Sequence, residues 1–261
     1  MNNCCICGTV RNVEKYLDKI FANMEQLGSI FDNYIIFLYY DKSTDNTLQK
    51  LKEYQLRNSK FQYYINENEL LPYRTHRLAL GRNHCLTFIK ENYIDYKYFI
   101  MMDCDDVCNY NINLDLFKSY LKREDWDALS FHHPKDYYDI WALSISPYIL
   151  SYFHLNCLIE SRKYITNIIN NTPSNELIPC LSAFNGFSIY ITNKFIDCKY
   201  DGRLRFDYIL EYLIKENIKY NCKNFDLSKD DKEDCEHRAF HFEAIIKNNA
   251  RIRISPNYLF K

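Results

Sequence analysis

Two carboxylates stand two residues apart, directly after an apolar run. The run Tyr96–Met102 leads into Asp103, Cys104 and Asp105. Residues two apart in an extended chain point to the same side, so the carboxylates of Asp103 and Asp105 can converge on one cation. Such hard oxygen ligands suit Mg²⁺ or Mn²⁺, with water and phosphate completing the coordination. The pattern predicts a divalent-cation site that faces a phosphate group; an acidic turn capping the next helix is the alternative.

A second group of candidate side chains occurs late in the chain, within Asp234–His241. His237 and His241 are four residues apart, which places them on the same face of either a helix or a strand. A neutral imidazole is a good ligand for Mn²⁺, so His237, and after it His241, is a candidate metal ligand. A buried histidine with satisfied hydrogen bonds is the alternative.

These side chains need regular elements to position them, and the first half of the chain predicts the order β-α-β-α-β-α-β. Short apolar runs predict strands at Cys4–Gly8, Tyr34–Tyr40, Phe61–Ile65 and Tyr96–Met102. Apolar residues at helical spacing predict helices over Val13–Met24, from Thr47 and over Leu80–Glu91. This alternation is typical of a mostly parallel sheet.

Ligands of such sheets bind beyond the carboxyl ends of the strands. The segments at those ends are rich in carboxylates and amides, and we expect them to border one cleft: Thr9–Asn12, Asp41–Asn46, Asn66–Asn68 and Asp103–Asp106. Past Tyr110 the order is less regular, with strands predicted at Ala128–Phe131 and Phe187–Ile191. An amphipathic helix is predicted after Asp207.

Four polar segments occur in a defined order in this half: Arg11-Asn12, Asp41–Thr47, Gly81-Arg82-Asn83 and Asp103–Asp105. Together they resemble the motifs of the GT-A fold glycosyltransferases, especially those of the family-2 type, over about the first 110 residues. The resemblance implies an α/β fold, a Rossmann-like mixed and mostly parallel sheet flanked by helices. It implies a single domain with a donor half, residues 1–110, and an acceptor half, residues 111–261.

The same resemblance implies an activity. A hexose-type sugar would pass from a UDP- or GDP-sugar to an acceptor hydroxyl, with Mn²⁺ or Mg²⁺ and with inversion at the anomeric carbon. Thr9 and Arg11 would border the nucleotide, Asp41 would contact the base or ribose, Arg82 would face the diphosphate, and Asp103 would bind the donor through the cation. As alternatives, a carboxylate of the Asp41–Thr47 segment caps the next helix, and Arg82 is a surface charge.

Related enzymes carry an acidic pair at a helix start that supplies the base for the acceptor hydroxyl. Phe206-Asp207 has one acid where two are usual, so Asp207 is either that base or a helix cap. Glu236 or Asp234 could replace it. Many GT-A enzymes also add a late histidine to the metal site, which agrees with the choice of His237.

Three further segments have a functional and a plain interpretation. The basic group Arg74–Arg77 could steer an anionic donor, although solvated loop charges are the simpler interpretation. The aromatic segments Trp126–Phe131 and Tyr137–Trp141 could stack on sugar rings, or belong to the core. Asn185-Gly186 could let the backbone approach the donor closely, or form an ordinary turn.

The composition is that of a folded protein. Of 261 residues, 47% are hydrophobic and 26% charged, and the net charge of −1 argues against a nucleic-acid partner. We expect no signal peptide or transmembrane segment and a cytoplasmic location. The 11 cysteines lie largely inside apolar runs and predict reduced, buried thiols. Cys4 and Cys7 have no second pair with which to complete a zinc site.

Two other functions fit parts of the sequence. A haloacid-dehalogenase-like phosphatase also has a strand followed by Asp-x-Asp, but its motif would lie unusually late here, and Asp41–Thr47 would have no purpose. A catalytically silent carbohydrate-binding relative is the other alternative, and the presence of Asp103, Asp105 and His237 argues against it.

Overall fold

A computed structural model describes residues 2–134, 137–150, 158–221 and 233–261. Its first half alternates strands and helices, as predicted: β1 (Asn3–Val10), α1 (Leu17–Gly28), β2 (Asn33–Tyr40), α2 (Thr47–Arg57), β3 (Phe61–Ile65), α3 (Arg74–Asn92) and β4 (Tyr98–Met102). The second half contains α4 (Leu114–Leu121), β5 (Ala128–His132), α5 (Leu158–Asn171), β6 (Ile178–Cys180), β7 (Phe187–Ile191), α6 (Thr192–Phe195), α7 (Glu211–Asn221), α8 (Glu236–Asn248) and β8 (Ile252–Tyr258).

The strands of the described residues form one eight-stranded sheet in the order β3-β2-β1-β4-β7-β5-β8-β6. Neighbours among β1 to β4 are parallel, as are β5 and β8. Strand β7 runs antiparallel to both β4 and β5, and β6 runs antiparallel to β8. The predicted mixed, mostly parallel sheet flanked by helices is therefore confirmed, and β7 joins the two halves of the chain within it.

The central strands are buried on both faces, which explains their nearly continuous apolar sequences. On one face, Cys5 and Cys7 of β1 share a core with α3 and α8. On the other face, Cys4 and Ile6 pack with α1, α2 and α4. The nine cysteines within the described residues are all free and buried, as expected, while Cys157 and Cys222 lie outside those residues.

Helix α3 begins at Arg74, whereas the sequence predicted a start at Leu80. The prediction missed the first turn because that turn is polar and carries no apolar periodicity. The Thr75 hydroxyl fixes this turn by donating a hydrogen bond to the carbonyl oxygen of Gly202, at 2.9 Å. Gly81-Arg82-Asn83, which the prediction of a helix over Leu80–Glu91 put at the helix start, therefore lie in its middle. None of the helices within the described ranges is long and apolar enough to cross a membrane.

Gly81 sets how closely α3 approaches the sheet. A Cβ atom at this position would lie 2.7 Å from a ring carbon of Tyr39 and 2.8 Å from the methyl group of Thr9. Both neighbours are near the ends of their strands, so the missing side chain lets the helix lie against the edge of the sheet where ligands are expected.

We expect Gly81→Ala to lower the free energy of unfolding by about 1–3 kcal/mol, because overpacking outweighs the better helix propensity of alanine. Thr87→Ala, at an exposed position of the same helix, is the matched control and should change stability by only a few tenths of a kcal/mol. Urea unfolding measures both. A G81A protein as stable as the wild type would mean that this close approach is not constrained.

Candidate active site

The carboxyl ends of β1, β2 and β4 and the first turns of α3 enclose a cleft of about 270 Å³. Five residues expected at the site line it: Thr9, Arg11, Asp41, Asp103 and Asp105. The cleft thus combines carboxylates from two strand ends with arginines from a loop and a helix. That mixture suits a ligand containing both a cation and an anionic group.

Asp41 is held at the end of β2 by two hydrogen bonds. Its Oδ1 accepts from the side-chain amide of Asn66 at 3.0 Å and from the backbone N–H of Lys42 at 3.1 Å. The side chain is buried but still borders the cleft. A carboxylate fixed in this way can accept hydrogen bonds from a ligand without reorganising.

The loops after β1 and β2 are bound to each other. Asn12 has a positive φ of 54°, and its side-chain oxygen accepts a hydrogen bond from the backbone N–H of Thr44 at 2.7 Å. Asp45 accepts from the backbone N–H groups of Glu14 and Thr47, at 3.0 and 3.1 Å. Asp45 thus accepts a hydrogen bond from the first N–H of α2, whose N-cap residue is Asn46, and Asp41 is left to face the cleft.

Asp103 and Asp105 follow β4 in a turn that is fixed from both sides. The backbone N–H of Asp103 donates to the carbonyl of Gly186 at 2.8 Å, and Asp105 accepts from the N–H of Val107 at 3.2 Å. Burial raises the pKa of Asp103, and the Arg82 guanidinium opposes that rise. Burial and the nearby charge of Asp103 raise the pKa of Asp105 to about 6. Two carboxylates therefore repel each other in a partly dry site, which a cation would relieve.

This donor set fits a divalent cation that shares its ligands with a phosphate. Within the described ranges, no group of three or more His, Cys, Asp or Glu side chains is arranged to hold a metal by itself. Mg²⁺ and similar ions are commonly bound by one or two carboxylates, with substrate phosphates and water as the other ligands. Asp103 and Asp105 satisfy that requirement.

Arg82 lies behind these carboxylates rather than in the cleft. One of its terminal nitrogens is 3.0 Å from Oδ1 of Asp103, and the other contacts the carboxylate of Glu236. The guanidinium also lies over the ring of Phe184, 4.7 Å from its centroid. The side chain is 4% exposed, which removes the surface-charge interpretation and does not support direct contact with a diphosphate.

The two histidines lie in the core and are not assembled with Asp103 and Asp105. His241 is bonded through one ring nitrogen to Ser182 at 2.9 Å and through the other to Tyr190 at 3.1 Å, and burial lowers its pKa to about 3. The structure therefore contradicts its prediction as a ligand, because neither nitrogen is available. His237 stacks on Phe184 with 3.8 Å between centroids; its ring nitrogens have no hydrogen-bond partner among the described residues, and Nε2 lies 3.9 Å from Oε1 of Glu236.

The three candidate bases differ in their arginine partners. Asp207 lies in a 3₁₀ turn at the surface and is paired with Arg205 at 2.6 Å, which lowers its pKa. Asp234 is buried and paired with Arg238 at 2.9 Å. Glu236, the first residue of α8, is the candidate that connects through an arginine to the cleft. The structure does not bring Asp207 or Asp234 to the carboxylates of the Asp-x-Asp segment.

A comparison with known sequences gives the family. The sequence profile described as "Glycosyl transferase family 2" matches residues 5–180, which is more than half of the chain. The chain belongs to glycosyl transferase family 2. Among curated protein sequences, none matches it significantly.

Solved structures with this fold include those of S. aureus TarS. The TarS 1-349 structure has a TM-score of 0.51 and 13% identity, covering 99% of this chain and 59% of that one. A longer TarS structure gives 0.52 and 14%, covering 99% and 36%. A complex of TarS 1-349 with UDP-GlcNAc gives 0.50 and 15%, covering 100% and 57%. The likeness establishes a GT-A fold, and this family-2 chain spans less than two thirds of each TarS chain.

Sequence reasoning underestimated two parts of this family-2 site. Arg74 lies in the first turn of α3 rather than in a loop; it is exposed and lines the cleft, so its role in steering an anionic donor stays a prediction. The Tyr138 hydroxyl donates to Oδ2 of Asp103 at 3.3 Å. The sequence contains one indication that Arg74 lies near the site, because Arg74 precedes Arg82 by two helical turns on the same face of the helix.

The aromatic segments divide between the core and the cleft. Trp126 and Tyr137 are buried in the core, whereas Tyr138 is 37% exposed. Asn185 holds Tyr138 in place, because its side-chain oxygen accepts from the backbone N–H groups of Tyr138 and Asp139, each at 3.2 Å. Gly186 has a φ of 86° and packs against Val107, so Asn185-Gly186 acts as a supporting turn.

Asp105→Asn should stabilise the metal-free protein above pH 6. Folding raises the pKa of Asp105 from 3.8 to about 6, so its ionisation destabilises the fold; the penalty is complete above pH 6 and decreases as the pH falls through this window, because the unfolded state also becomes protonated. We expect a rise of about 2–6 °C in the unfolding midpoint at pH 7.5 with EDTA, for a change of about 1–2 kcal/mol. The difference should shrink at pH 5.

Asp95→Asn, at an exposed position, is the matched control and should leave the midpoint unchanged at both pH values. A midpoint for D105N that equals or falls below the wild-type value at pH 7.5 would show that Asp105 is not under the electrostatic strain described.

Proposed function

We propose that this chain transfers a hexose-type sugar from a UDP- or GDP-sugar to an acceptor hydroxyl, with Mn²⁺ or Mg²⁺ and with inversion. The observation that carries the proposal is the single cleft shared by Asp41, Asp103 and Asp105 at the carboxyl ends of parallel strands. This is where ligands of open α/β sheets bind. Residues 1–110 would bind the donor and residues 111–261 most of the acceptor.

The nucleotide would lie over the ends of β1 and β2. Asp41 is preorganised by Asn66 and presents a carboxylate, which can accept from an N–H group of a base or from a ribose hydroxyl. Thr9 and Arg11 border the same space. UDP-GlcNAc is a reasonable first donor to test, because a TarS structure with this fold was solved with it.

The diphosphate would lie between Asp103 and Asp105 on one side and Arg74 on the other. A cation bound by the two carboxylates would supply Lewis-acid stabilisation of the leaving diphosphate. Arg74 is well placed to bind a phosphate oxygen directly, because it lines the cleft, is exposed and forms no salt bridge within the described residues. This role replaces the one expected for Arg82.

Glu236 is the base that we assign to the acceptor hydroxyl. It starts α8, as the acidic residue of related enzymes starts a helix, and it shares the Arg82 guanidinium with Asp103. Asp207 is a poorer candidate, because it lies in a surface turn, paired with Arg205, and the structure does not connect it to the carboxylates of the Asp-x-Asp segment. Membership of glycosyl transferase family 2 also leaves the phosphatase alternative without support.

Nucleotide and metal binding test the function together. With UDP and Mn²⁺ at about a hundred times the dissociation constant, the free energy of unfolding should rise by about 2.7 kcal/mol, and by much less with either ligand alone. Asp103→Asn should abolish the metal-dependent part, whereas Asp95→Asn should keep it. Thermal unfolding with UDP, GDP and UDP-GlcNAc measures this.

Turnover separates an enzyme from a catalytically silent relative. UDP release from UDP-GlcNAc and other UDP-sugars, with water or an added acceptor, should be detectable for the wild type and lost in Asp103→Asn. Binding without any sugar release across UDP- and GDP-sugars would favour the silent carbohydrate-binding relative. The absence of both binding and turnover would refute the proposal.

Arg74→Ala should raise the KM for the donor by about tenfold or more, since a hydrogen bond to a charged group contributes about 1.5–3 kcal/mol. The exposed Arg57→Ala variant should leave KM unchanged. Initial rates of UDP release over a range of donor concentrations give both values. An unchanged KM for R74A would mean that another group binds the diphosphate.

A further inference from the structure

Arg82 joins two carboxylates that come from distant parts of the chain. Asp103 directly follows the central strand β4, and Glu236 begins α8. The two terminal nitrogens of one guanidinium contact them separately, Asp103 at 3.0 Å and Glu236 through the opposite nitrogen. The side chains of Arg82 and Glu236 are 4% and 3% exposed, so this contact is almost dry. One side chain therefore sets the separation of a cleft carboxylate and a carboxylate on another element.

The neighbours of Arg82 leave it little freedom. Its guanidinium lies over Phe184 at 4.7 Å and near Tyr200 at 6.0 Å from the ring centroids. Asn83, the next residue, accepts a hydrogen bond from the backbone N–H of Tyr200 and donates one to its carbonyl oxygen, both at 2.9 Å. Asn83 thus fixes the backbone of Tyr200, one of the two aromatic residues beside the guanidinium.

A contribution to the stability of the fold does not by itself explain why the Arg82 guanidinium is buried. Desolvation of a buried ion pair often cancels its Coulomb attraction, and apolar residues of similar volume are frequently as stable. A planar guanidinium can hold two carboxylates at a fixed separation, whereas an ammonium group is a point charge on a flexible stem. The arrangement therefore favours a role in alignment.

We propose that Arg82 is a positioning residue that couples the cation-binding Asp103 to Glu236, so that both sides of the transfer reaction are aligned as one unit. The proposal rests on the function proposed above. Arg82 acts through the two carboxylates and does not touch the donor. Its effect is therefore expected in cation binding and in the catalytic rate, and not in the binding of the nucleotide alone.

Arg82→Lys tests this coupling, because lysine keeps the positive charge but lacks the two terminal nitrogens with which a planar guanidinium contacts both carboxylates. We expect UDP to bind the metal-free R82K protein as it binds the wild type. The affinity for Mn²⁺ in the presence of UDP should fall at least about tenfold, and kcat for UDP release about 10–100-fold, since small misplacements have effects of that size. Calorimetry measures binding, and initial rates give kcat and KM separately.

Arg57→Lys, the same exchange at an exposed position outside the cleft, is the matched control and should keep Mn²⁺ affinity within about threefold of the wild type. The inference is overturned if R82K binds Mn²⁺ and turns over like the wild type. It is also overturned if R82K weakens metal-free UDP binding, because Arg82 would then contact the nucleotide. Wild-type protein without UDP binding or turnover would refute the proposed function itself.

Glu236→Gln provides a second test that does not depend on the folding of R82K. It removes one anchor of Arg82 at a residue that we do not assign as a metal ligand. We expect Mn²⁺ affinity with UDP to fall severalfold, with metal-free UDP binding unchanged. In kcat, the R82K/E236Q double variant should be no slower than the slower single variant, since residues that act as a unit are not additive. Unchanged Mn²⁺ affinity in E236Q, or multiplicative effects in the double variant, would contradict the coupling.

Discussion

Negative charge concentrated at the end of a buried strand is the constraint around which the rest of the site is built. Strand β4 is buried along its whole length, and the chain leaves it directly into Asp103 and Asp105. Carboxylates so close to an apolar interior are unfavourable unless cations or hydrogen bonds compensate them. The fold supplies Arg82 behind Asp103 and the backbone N–H of Val107 beside Asp105, and leaves the open side to a ligand.

The elements of the first half could be predicted from sequence because burial on both faces gives strands unbroken apolar runs. Strand β3 has the predicted bounds, Phe61–Ile65, and β2 differs by one residue. The start of α3 could not be predicted in this way, because its first turn faces the cleft and carries polar side chains. The helical conformation of this turn therefore could not be recognised from apolar periodicity.

The cleft residues of the first half were predictable because they follow strands in a fixed order, which brings Thr9, Asp41 and Asp103 to one edge of the sheet. The choice among Asp207, Asp234 and Glu236 was not. Each of these carboxylates has an arginine partner within the described residues, and the long-range contact of Glu236 with Arg82 connects Glu236 to the cleft. A contact between residues so far apart in the chain cannot be predicted from the local sequence. The hydrogen bonds of His241 to Ser182 and Tyr190 were hidden for the same reason.

The reversed direction of β7 has a consequence for how the later part of the chain reaches the cleft. Because β7 runs against β4, Phe187 at its beginning pairs with Met102 at the end of β4. The turn that enters β7 therefore meets the residues that leave β4, and the Gly186 carbonyl accepts the N–H of Asp103. A parallel strand at this place would have put its entry at the opposite edge, some five residues away. Inserting or deleting residues just before β7 would thus shift the Gly186 carbonyl away from the N–H of Asp103. We therefore expect insertions and deletions in related sequences to occur at other places in the chain.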